Sequence, residues 1–207
     1  MYKTQMKLQK ILCLLAVIVA AILFLYALGI MTDLYDTLYT TLRIRVVEGE
    51  EGGYSLNVTE RSVPGASVYT DMSQNLNQWL VAASVVYILL AVFLFVTNTN
   101  IRRRYYIGNY VAIGLFAVAS LYIPIASNGV IEHYKAQWLK VDFAALKEYS
   151  ETFSSAYTES TLWFDLHYAV FALMILMAVL LVANAVWKFM LMKEEAQLVA
   201  QGKGAKA

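Results

Sequence analysis

Asp165 and His167 are two residues apart, and a carboxylate close to an imidazole is a pair suited to acid–base chemistry. They are the acid–base candidates of this chain, at the border of an apolar run that begins at Tyr168. The second histidine, His133, adds too few ligands for a metal. A structural zinc takes four and a catalytic zinc three, and the single cysteine, Cys13, lies inside another apolar run. A four-helix haem protein places its axial histidines within its spans, and these two lie outside them. No metal and no cofactor is expected. Serine elbows, HExxH pairs and Walker-type glycine loops are absent. Asp33, Asp36, Asp71, Glu159 and Asp165 form an acidic face, read as solvated. Tyr69, Asp71, Trp138, Phe143, Tyr157, Glu159, Asp165 and His167 are the candidates for contact with a partner. Arg102, Arg103 and Arg104 are candidates for lipid headgroups or for anchoring the topology.

The elements that carry these residues follow from four apolar runs: Ile11 to Ile30, Trp79 to Thr97, Tyr106 to Ser127 and Tyr168 to Trp187. None contains Asp, Glu, Lys, Arg or His, and about 20 apolar residues cross a bilayer as a helix. Mean hydropathy is +0.56, and the net charge of +1 conceals a sorting of charge. Three short segments, at the amino terminus, between the second and third runs and after the fourth, hold ten basic and two acidic residues. The two long segments, Met31 to Gln78 and Asn128 to His167, hold six basic and thirteen acidic ones. The positive-inside rule then places both termini in the cytoplasm and both long segments outside. The first run is too long for a signal-peptide core and is expected to stay as a span.

The expected fold is an all-α membrane protein of one domain, 1–207: a four-transmembrane-helix bundle with an extracytoplasmic α+β cap built from 31–78 and 128–167. In the first segment, Leu42 to Val46 and Tyr54 to Thr59 alternate around Gly49 to Gly53, which predicts a β-hairpin. An isolated hairpin is marginal in water, so it needs the second segment or another protein. In the second, Leu139, Phe143, Leu146, Tyr149 and Phe153 make a helical stripe. That helix begins before Leu139, or else at Asp142 as N-cap with Val141 and Leu146 as a staple.

Ser67-Val68-Tyr69-Thr70-Asp71 and Ser155-Ala156-Tyr157-Thr158-Glu159 precede the second and fourth runs. They suggest a parallel repeat, 1–104 and 105–207; two helix starts capped by Thr70 and Thr158 account for the likeness equally. Spans without ionisable groups argue against a proton-coupled carrier acting alone. Asn109 and Asn184 are read as helix-packing amides, and the spacings Gly108–Ala112 and Ala16–Ala20 as close helix contacts. Pro124 marks a bend or a helix exit.

The stretches Asn98-Thr99-Asn100-Ile101-Arg102-Arg103-Arg104-Tyr105-Tyr106-Ile107-Gly108-Asn109-Tyr110 and Phe164-Asp165-Leu166-His167-Tyr168 resemble those of uncharacterised four-span membrane proteins of Clostridia-like bacteria. Some of those accompany carbohydrate ABC-transporter permeases, so the resemblance implies a partner and not a reaction. The cysteine motifs of claudins and tetraspanins are absent. The resulting expectation is a non-catalytic accessory or scaffold subunit in the cell membrane. It would bind another integral membrane protein or itself, and no nucleic acid. The alternatives are a homo-oligomeric small-solute transporter or channel, and an enzyme acting at the outer face.

Overall fold

The computed structural model describes residues 2–30, 64–65, 68–99, 107–145, 147–148 and 159–200. Of these, 94% are helical and none is in a strand. The chain runs α1 (Tyr2–Gly29), α2 (Val68–Met72), a π-helical turn (Ser73–Asn77), α3 (Gln78–Thr99), α4 (Ile107–Trp138) and α5 (Leu162–Ala200). Four helices are long and apolar enough to cross a membrane, with α2, the π-turn and α3 forming one continuous helical stretch. Among the described residues the α+β cap therefore finds no β component, and the predicted hairpin lies outside them.

Each long helix buries one stripe and leaves the rest apolar. On α3, Leu80, Ala83, Tyr87, Ala91 and Leu94 face inward, while Val85, Val86, Leu89, Val92, Phe93 and Val96 are exposed. In water such an outer face would be polar. Here its composition fits hydrocarbon, so burial follows packing and not polarity. Of the small-xxx-small pairs, Ala16, Ala20 and Ala112 are buried and Gly108 is half-buried.

Helix ends depart from the edges of the apolar runs. Pro124 lies inside α4, which continues to Trp138. Neither an exit at the proline nor the end of apolarity at Ser127 stops it. Ile131, Tyr134 and Trp138 keep an inward stripe there, and that burial offsets the bond Pro124 cannot donate. Beyond Trp138 the chain tightens into i→i+3 bonds, Lys140 to Gln137 and Val141 to Trp138. Asp142 then caps a new helical segment, its Oδ1 accepting from the amides of Ala144 (3.1 Å) and Ala145 (3.0 Å). This decides the second start in favour of Asp142; the side chain of Leu146, its staple partner, lies outside the described residues.

Thr70 is inside α2 and not its cap, because the helix starts at Val68. At α5 the start is Leu162, whose amide donates to Ser160 Oγ (3.2 Å), so Glu159 precedes the helix. Thr158 lies outside the described residues.

The chain divides into two compact units, and each long helix contributes to both. A terminal unit contains Met1–Ile22, Val85–Pro124 and Val170–Ala207. A loop unit contains Leu23–Ser84 and Ile125–Ala169. In the loop unit the two long connections touch. The Asp142 amide donates to the Pro64 carbonyl at 2.9 Å, and Gly65, at φ +86°, lies against Val141. A Cβ on Gly65 would stand 2.9 Å from Val141 Cα, so both the backbone conformation and the space require glycine.

Candidate functional site

The predicted pair, Asp165 and His167, lies in the first two turns of α5 and joins a cluster with α4 in the loop unit. Asn128, Glu132 and Lys135 sit on α4 at i, i+4 and i+7. Thr161, Asp165 and Tyr168 repeat that spacing at the start of α5, which brings matching faces together. Lys135 Nζ is 2.5 Å from Asp165 Oδ1, and Thr161 Oγ1 donates to Asp165 Oδ2 at 2.9 Å. Tyr168 donates to Glu132 Oε1 at 2.8 Å. His167 is fully buried: its Nδ1 meets the Phe164 carbonyl, its Nε2 lies 3.0 Å from Asn128 Oδ1, and Glu132 Oε1 is 3.9 Å away.

Both oxygens of Asp165 and both ring nitrogens of His167 are thus engaged within the protein. The backbone carbonyl can only accept, so His167 Nδ1 carries a hydrogen, and a neutral ring then accepts at Nε2 from the Asn128 amide nitrogen once that side-chain amide is turned over. The arrangement ties α4 to α5. The part-exposed ion pair is open to screening. Lys135→Met is expected to lower the thermal midpoint in low salt, with the difference from wild type shrinking as salt rises. An unchanged midpoint at low salt would show that the pair contributes nothing.

The other candidates separate. Trp138 is fully buried against Phe143 and Phe164, with ring centroids 5.7 and 5.8 Å away, so it serves the core and offers no docking face. Phe143 is half-buried beside it. Asp71 is exposed, and its carbonyl accepts from Tyr134 Oη (3.1 Å) and Asn75 Nδ2 (3.0 Å). Those two donors compete with the backbone amide one turn on, which gives the π-turn a local cause. Glu159 is exposed. Tyr157, Arg102, Arg103, Arg104 and the side chain of Tyr69 lie outside the described residues.

A second polar assembly, not foreseen as a unit, fills the interior of the terminal unit. Gln5, Gln9, Thr97, Asn98, Asn109, Asn184 and Lys188 are all at most 4% exposed. Gln9 Nε2 donates to the Asn98 carbonyl (3.0 Å) and to Asn98 Oδ1 (2.8 Å). Gln5 Nε2 donates to Gln9 Oε1 (2.9 Å) and to Asn184 Oδ1 (3.3 Å). Asn98 Nδ2 in turn reaches the Asn109 carbonyl (3.2 Å). The packing role expected of Asn184 is seen directly, whereas Asn109 contributes here through its backbone. Lys188, by sequence one of the ten basic residues of the short segments, is buried one turn beyond Asn184 with its Nζ 5.4 Å from the Tyr110 ring centroid, a cation–π position. Cys13 is buried and free, as an apolar core residue would be. No group of three metal-ligating side chains occurs among the described residues. Comparison with protein-family models, curated proteins and solved structures gives no match for this chain.

Proposed function

We propose that this chain is a non-catalytic, multi-pass membrane subunit, an accessory or scaffold, that presents its two long connections to a second integral membrane protein. The observation that carries this reading is the bond from the Asp142 amide to the Pro64 carbonyl, which joins the two connections at these residues. Internal engagement of Asp165 and His167 supports it, since their chemistry is directed at the protein itself. So does the sorting of charge, which favours both termini in the cytoplasm of a plasma membrane and the connections outside. The partner class implied by the sequence resemblance is the membrane subunit of a carbohydrate ABC transporter.

Purification from native membranes in mild detergent, followed by mass spectrometry, tests the reading. A reproducible, stoichiometric integral membrane partner is expected. A homogeneous monomer recovered without one would overturn it. Solute flux in liposomes containing this chain alone would instead establish the transporter alternative.

A further inference from the structure

Gln5 and Gln9 fix the rotation of α1 at its amino-terminal end. Both are buried and hydrogen-bonded in the polar assembly of the terminal unit, so the other side of the helix faces outward. Lys3, Lys7 and Lys10 lie on that side at i, i+4 and i+7, and all three are exposed. The same stripe continues through Leu14, Ile18 and Ala21, which are exposed as well. One face of α1 is therefore cationic over about two turns and apolar beyond them.

The dimensions of this face match one leaflet. From Lys10 to Ala21 the helix rises about 16 Å, against about 15 Å for half of a bilayer's hydrocarbon. With that part in hydrocarbon, Lys10 stands at its border and Lys3 about 10 Å further out, among the headgroups. Three cations within about one Debye length act on the same anion. Among the described residues no ion pair joins them to an acid. The first turn of α1 holds no acidic residue, and the positive end of the helix macrodipole opposes Lys3 there. An anion beside the stripe relieves both repulsions.

We propose that this face of α1 binds an anionic phospholipid of the leaflet at the amino-terminal end of the helix. Its phosphate lies beside Lys3, Lys7 and Lys10, and an acyl chain follows Leu14, Ile18 and Ala21. A soluble anion would use the lysines and leave the apolar continuation unmatched, whereas a phospholipid matches both parts. The site depends on α1 spanning a membrane and stands independently of any protein partner.

Reconstitution of the full chain in vesicles of equal phosphatidylglycerol and phosphatidylcholine, followed by mild detergent extraction and native mass spectrometry, tests it. Wild type is expected to retain phosphatidylglycerol in preference to phosphatidylcholine. A lysine near an anionic membrane surface is worth about fivefold in binding. Lys7→Gln should therefore lower the preference about fivefold at low salt, and Lys3→Gln/Lys7→Gln/Lys10→Gln about one hundredfold. Lys193→Gln, which removes one exposed charge from α5 in the same unit, should leave it near the wild-type value. Equal retention of the two lipids by wild type overturns the proposal, as does a preference that survives the triple change. A Lys193→Gln protein that loses as much as Lys7→Gln also overturns it, because net charge alone then draws the lipid.

Discussion

Replacing Gly29 by alanine is expected to destabilise the protein by about 2 kcal/mol, within the range of about 1–3 kcal/mol for overpacking a dense interior. A Cβ built on Gly29 falls 2.3, 2.5 and 2.8 Å from three atoms of the Trp163 ring. Carbon atoms do not approach that closely, so the indole or the end of α1 must shift. The indole sits at the start of α5, one turn before His167 and beside Phe164, which is itself fully buried against Trp138. Displacement of the ring therefore disturbs the aromatic core of the loop unit. Chemical unfolding of Gly29→Ala in detergent measures the loss. Combining it with Trp163→Leu should cost less than the sum of the single changes, because the clash is then removed from the other side. Strict additivity of the two would show that the alanine methyl and the indole do not compete for the same space.

The apolar runs revealed four helices because crossing hydrocarbon requires length and an absence of charge, and both are visible residue by residue. They concealed where those helices end. A run reports how much helix lipid can cover, whereas a helix continues as long as one stripe finds packing. Ile131, Tyr134 and Trp138 extend α4 well past Ser127, although Asn128, Glu132 and Lys135 interrupt the apolar sequence. The cluster around Asp165 was half legible. Asp165 and His167 stood out by type, while their partners on α4 carried only a helical spacing, in the part of the outer segment that follows the third apolar run. The likeness of the stretches around Tyr69 and Tyr157 overstated helix-start similarity: Tyr69 is helical, and Glu159 precedes its helix. From sequence Lys188 is simply one of the ten basic residues of the three short segments. Its i+4 relation to Asn184 instead carries it along the buried stripe.

Gln9→Leu is expected to cost about 2 kcal/mol, at the upper end of what interhelical hydrogen bonds contribute in membrane proteins. The reason lies in the direction of the amide relay. The Asn98 backbone carbonyl is an acceptor whatever the side chains do, so the Gln9 amide must point its nitrogen there. Gln9 Oε1 is then turned to accept from Gln5, whose nitrogen also reaches Asn184. One backbone group on α3 thus orients three buried side chains, Gln9 and Gln5 of α1 and Asn184 of α5. Leucine at position 9 removes a donor that serves two acceptors of Asn98, and it takes from Gln5 one of its two acceptors. Gln9→Glu discriminates this account from a mere change of shape. A carboxylate is nearly isosteric with the amide but has no hydrogen to give, so it faces two acceptors and should destabilise at least as much as leucine. Thermal unfolding of the two variants beside wild type gives the ordering. A Gln9→Glu protein as stable as wild type would mean that the Asn98 carbonyl does not set the direction of the relay.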